Sequence, residues 1–87
     1  MKKMKSYKCV LETVKAPIGE ACMRCVLIMA PDIVSASAKF EQSAAFRSLV
    51  PMDTVKTLAD HDSRNWVAYY NNMAKATCWM LTITISE

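Results

Sequence analysis

The sequence predicts an α+β domain: an antiparallel sheet of about four strands with one main helix packed on one face, in the order ββα(α)ββ. Three observations carry that expectation. Ser6 to Val14 places Tyr7, Cys9 and Leu11 on one face at period two, with Lys8 and Glu12 on the other. Ala30-Pro31-Asp32 opens a stretch with helical spacing that stops at Pro51. In Thr77 to Ile85, Trp79, Leu81, Ile83 and Ile85 alternate with Met80, Thr82 and Thr84, all in a β-favouring context. Strands, then helix, then strands is the α+β pattern.

The elements follow in order. After the first strand, Lys15-Ala16-Pro17-Ile18-Gly19-Glu20 carries both Pro and Gly and reads as a turn. Ala21 to Met29 is a second strand ending in a nearly continuous apolar run. Such a run fits a strand buried on both faces, or a short helix, and the flanking turns favour the strand. The two strands make an antiparallel hairpin. Pro31 is preformed for a first helical turn, and Asp32 puts negative charge near the positive end of the helix dipole. The helix is expected to run to about Leu49, with Ile33, Ala36, Phe40 and Ala44 in one line. Asp53 to Ala59 is expected to form a short second helix capped by Asp53 or Thr54, with Val55, Leu58 and Ala59 inward. Asp60 to Asn65 reads as a polar loop. Trp66 to Tyr70 reads as a third strand, against a competing helix over 65–75, and Asn71-Asn72 turns the chain into the last strand.

Size and composition narrow the functional classes. A chain of 87 residues, 53% hydrophobic and 22% charged, is a single globular domain. It buries only about 60–65% of the surface its unfolded form exposes. The net charge is +3, but Lys2, Lys3, Lys5 and Lys8 supply four of the 11 cations, and the remainder holds 7 basic against 8 acidic residues. Residues 1–5 are read as a basic, disordered N-terminal tag and 6–87 as the domain. A phosphate backbone needs several cations along one face, which the body lacks, so nucleic acid is disfavoured as a partner. The longest apolar stretch, Val26 to Ala30, is far short of the ~20 residues of a membrane span. No apolar segment follows the N-terminal lysines as in a secretory signal, so a reducing cytoplasm is expected, the chain's own or a host's.

No phosphate loop, GxSxG or HExxH stands in the chain, so catalysis is disfavoured. His61 lies in Asp60-His61-Asp62, and a pairing with Cys78 as nucleophile has nothing local to fix it. Cys22 and Cys25 form a single CxxC, with Cys9, Cys78 and His61 as the remaining candidate zinc ligands. Odd spacing on a strand aims Cys22 and Cys25 at opposite faces, which favours small buried hydrophobes over a metal site. No cofactor is expected. Trp66, Tyr69, Tyr70 and Trp79 gather toward the C-terminus, where Trp79 reads as core, and Met23, Met73 and Met80 as exposed, adaptable side chains.

The Cys22 to Cys25 motif, the stretch Met73-Ala74-Lys75-Ala76-Thr77-Cys78-Trp79, the Asp62-Ser63-Arg64 tripeptide and a closing strand in a chain of this length resemble a small phage anti-CRISPR family. Its members are type II-C inhibitors that bind the HNH nuclease domain of Cas9. The resemblance implies a protein without chemistry of its own that occludes a nuclease site near the catalytic histidine, its contact pair carried over to Thr77 and Cys78.

Together these readings describe a non-enzymatic, protein-binding module, an inhibitor of a host defence enzyme. The expected contact residues are Thr77, Cys78, Met80, Met73, Tyr70 and Arg64. The alternatives are a nucleic-acid-binding accessory protein using the N-terminal lysines, or a single-knuckle zinc module. A homodimer through the C-terminal strand is also expected, because no charge lies between Lys75 and Glu87 and an uncharged edge invites pairing.

Overall fold

The computed structural model describes residues 3–86. Seven elements follow in the order β1 (Lys5–Lys15), β2 (Met23–Ala30), α1 (Ile33–Glu41), α2 (Ala44–Arg47), β3 (Val55–His61), β4 (Asn65–Asn72) and β5 (Thr77–Ser86). The strands form one sheet in the spatial order β2-β1-β5-β4-β3, antiparallel at every pairing. The α+β class stands, with five strands in place of about four and two short helices in place of one main helix.

The alternation in β1 sorts the two faces. Tyr7, Cys9 and Leu11 are buried, and the register sets Tyr7 opposite Ile28 and Cys9 opposite Val26 of β2. On β5 the same face carries Trp79, Leu81 and Ile83, and on β4 it carries Trp66, Ala68 and Tyr70, all buried. The β1–β2 connection turns at Gly19, whose φ of +86° suits a residue without Cβ. The Glu20 N–H donates to the Pro17 carbonyl there, at 3.0 Å.

Asp32 starts α1 as expected. It is extended, and its carboxylate accepts the Ser35 N–H at 2.7 Å, satisfying a donor the helix leaves free. Ile33, Ala36 and Phe40 then face the sheet and are buried. The helix ends early, at Glu41. Ser43 turns extended, its hydroxyl donates to the Phe40 carbonyl, and its oxygen accepts the Phe46 N–H at 3.3 Å. One short polar side chain thus closes α1 and caps α2, the competition with helical backbone that serine offers. Phe46, turned by this break, sits edge-to-face with Phe40 and Tyr70, centroids 5.8 and 5.0 Å apart.

The expected helix over Asp53 to Ala59 is a strand instead, and the expected loop from Asp60 begins inside it. β3 pairs along β4 from Val55 opposite Asn71 to His61 opposite Trp66, with a bulge between Leu58 and Asp60. A two-turn helix would gain little on its own, whereas Val55 and Thr57 are β-favouring and β4 offers a full ladder. Asp53 and Thr54 cap no helix. Both accept from the buried Asn72 carboxamide, at 3.0 and 3.1 Å, and Asn72 Oδ1 accepts the Lys75 N–H at 3.0 Å.

β5 lies between β1 and β4, so both its edges are paired and the expected dimer through the C-terminal strand has no edge to use. Met1, Lys2 and Glu87 lie outside the described residues, so of the expected N-terminal tag Lys3, Met4 and Lys5 are placed, all three exposed. Lys5 already pairs with Ala30 in the sheet. No helix among the described residues is long and apolar enough to cross a membrane.

Candidate functional site

Both helices lie on one side of the sheet, and the opposite side carries no layer of its own. The registers place four rows of side chains on that open face. Leu27, Lys8, Thr84 and Asn65 form one row. Cys25, Val10, Thr82 and Val67 form the next, ending at Asp60 on the edge strand. Met23, Glu12, Met80 and Tyr69 form the third, ending at Thr57, and Cys78, Asn71 and Val55 form the last.

This face is apolar for a surface. Leu27 is 65% exposed, Met23 61%, Val55 65% and Met29 53%. Val10, Val67, Cys78 and Met80 are half-buried beside them. Scattered exposed hydrophobics are ordinary, but a contiguous patch of them on a regular sheet marks an interaction surface. Strand β2 makes the point sharply. Val26 and Ile28 pack on the core, while Met23, Leu27 and Met29, on the alternate face, stand more than half exposed. Its apolar run suits a strand covered on both sides, and the chain covers one.

The expected contact residues divide between the two faces. Cys78 and Met80 stand half-buried on the open one. Thr77 and Tyr70 are buried on the helix side; the Thr77 hydroxyl donates to the Lys75 carbonyl at 2.9 Å, and the Tyr70 hydroxyl donates to Glu41. Met73 is exposed in the β4–β5 turn, and Arg64 is exposed in the β3–β4 turn at the other end of β4. The six therefore do not form one patch. The residues that sequence reasoning missed are Leu27, Met29, Val10 and Val67. Their signal was the second apolar face of β2 and of its neighbours.

The chemistry-bearing side chains are dispersed. His61 pairs opposite Trp66 and Cys78 opposite Asn71, so they stand on either side of β4 and at its opposite ends, about 20 Å apart at the ordinary strand rise and spacing. The His61 ring instead lies tilted beside the Trp66 indole, centroids 5.9 Å apart. Among the described residues, no three of His, Cys, Asp and Glu come together as a metal site. Cys9 is buried on the helix side and its thiol is pushed up to about 11, by desolvation first and then by the nearby Cys25 thiol, so it stays protonated. Lys5 and Lys8, three residues apart on β1, point to opposite faces and make no common cationic stripe.

One groove of about 410 Å³ lies between α2 and β3, lined by Phe46, Arg47, Val50 and Met52. Its charged pair, Glu41 and Lys56, is already joined in an ion pair. The chain matches no protein-family profile, no curated protein and no solved structure.

Proposed function

We propose that this chain is a small protein-binding module, without chemistry of its own, whose working surface is the open face of the sheet. The observation that carries the reading is β2: its apolar residues are arranged for cover on two sides, and the fold supplies cover on one. Exposed Leu and Met in a row are the kind of surface that a partner's apolar side chains fill.

The resemblance to phage anti-CRISPR inhibitors makes a nuclease of a host defence system the partner class of choice. Cys78 and Met80, two of the residues expected to make the contact, belong to the open face. The experiment is titration of the purified chain against the isolated HNH domain of a type II-C Cas9, read by binding calorimetry and by DNA cleavage. The expected result is a stoichiometric complex that blocks cleavage, burying at least ~1,000 Å². Leu27→Lys and Met80→Lys should each abolish it. Binding that persists unchanged in both variants would remove the open face from the reading.

A further inference from the structure

We infer that the open face docks on the same face of a second copy, about a two-fold axis that runs close to the row Cys25–Val10–Thr82–Val67. The inference rests on reading this face as a protein-docking surface and names its resident occupant.

The argument is one of self-complementarity. On the open face of the inner strand β1, the charged residues are Lys8 and Glu12, two positions to either side of Val10. Neither belongs to the Lys56–Glu41 pair, which is the ion pair among the described residues. A two-fold axis in the interface, across the strands through Val10, reverses β1 upon itself. Lys8 then faces Glu12 of the other copy, and Glu12 faces its Lys8, at the two ends of one isologous contact. The same operation lays Leu27 over Met23, Met80 over Thr84, Val67 over Val67 and Cys25 over Cys25. An axis along the strands through the central β5 would instead set β1 over β4, leaving Lys8 against Asn65 and Glu12 against Tyr69.

Size agrees with this. Five strands about 4.8 Å apart and about seven residues long project to about 550 Å² per copy. Two copies then remove on the order of 1,100 Å², which clears the roughly 1,000 Å² threshold of a specific contact and fits a weak, reversible dimer. Face-to-face sheets about 10 Å apart, their strands turned about 30° by sheet twist, are a standard sandwich arrangement. Asp60 ends this same row on the edge strand, so the axis brings it toward its own counterpart at the exposed rim, where water and salt screen the two carboxylates. A host target that uses this face would compete with the second copy, so the dimer is the resting form of the module.

Light scattering across a concentration series tests the inference. The expected mass is twice the 9.8 kDa of one chain. Lys8→Glu and Glu12→Lys should each weaken dimerisation tenfold or more, and the double variant should restore it. A short bis-maleimide should link two copies through Cys25, and Cys25→Ser should abolish the link while Cys22→Ser does not. A chain that stays monomeric up to ~1 mM overturns self-docking, as does a dimer indifferent to both charge reversals and not linked at Cys25. A monomer that still needs Leu27 to capture the nuclease domain leaves the docking surface standing without the second copy. A monomer indifferent to Leu27→Lys removes both.

Discussion

The hydroxyl of Tyr70 donates to the Glu41 carboxylate, which also pairs with Lys56, so β4, the end of α1 and the edge strand β3 meet at a single acid. Tyr70 is buried, and its ionisation is pushed well up, by desolvation first and then by the hydrogen bond to and charge of Glu41. The fold therefore holds the neutral phenol. Tyr70→Phe should cost about 1–2 kcal/mol, the worth of a hydrogen bond to a charged acceptor, measured by urea unfolding at pH 7. A variant as stable as the parent would show that Glu41 is served equally well by Lys56 alone.

The thiol of Cys9 makes alkaline pH a second probe. Its ionisation is raised from 9.0 to about 11, so the folded chain keeps a proton that the unfolded chain loses. That stabilisation is complete below pH 9 and is lost as pH climbs from 9 toward 11. The expected fall is on the order of 2 kcal/mol across that window. Cys9→Ala should be less stable at pH 7, because it opens a void under α1, yet show a flatter decline above pH 9. Denaturant midpoints from pH 7 to 11 for the two proteins check this.

Asn72 ties two turns together from inside the fold, donating to Asp53 and Thr54 and accepting from Lys75. Asn72→Ala should cost about 2–3 kcal/mol, since it leaves buried partners unpaired. Asn72→Asp should be worse above pH 5, where two carboxylates would share the site with Asp53, and should recover in acid. The pH dependence of the thermal midpoint separates the two variants.

Ala76 adopts φ +51° in the turn before β5, a left-handed conformation that burdens a residue with Cβ. Ala76→Gly should stabilise the chain by about 0.5–1 kcal/mol, net of glycine's greater unfolded freedom. Thermal melts read it directly, and a lower midpoint would show that the turn is not strained.

Charge placed on the two faces should have opposite consequences. Leu27→Lys adds charge to a position exposed in the single chain and, at concentrations where the chain is monomeric, should move stability by no more than about 0.5 kcal/mol. Ile83→Lys, on the helix side and fully buried, should prevent folding. Circular dichroism of the pair distinguishes an open face from a covered one without reference to any partner.

β1 and β5 were legible from period two, because each has one covered face that the alternation reports; β4 alternates too, but its short run left a helix over 65–75 in competition. β3 was not legible. All seven of its residues are exposed, so neither face imposes a pattern, and Val55, Leu58 and Ala59 fall by accident at helical spacing. Asp53 and Thr54 look like a helix cap in sequence because the same oxygens that cap helices also accept from Asn72. The helix start at Asp32 was legible, and its end was not: Ser43 breaks the helix by a local hydrogen bond that spacing does not reveal. For the site, the apolar run in β2 read as a strand covered on both sides. Periodicity does not reveal that the fold itself supplies only one of those covers.

The central place of β5 has a consequence for how the chain is made. The hairpins β1–β2 and β3–β4 share no pairing with each other, and only β5, which follows both, joins them. During synthesis the two hairpins must wait, each with an unsatisfied inner margin, until the final strand clears the ribosome and zips between them. Contacts so distant along the chain make that closing step slow, and the waiting species is the one most prone to pair with the wrong neighbour.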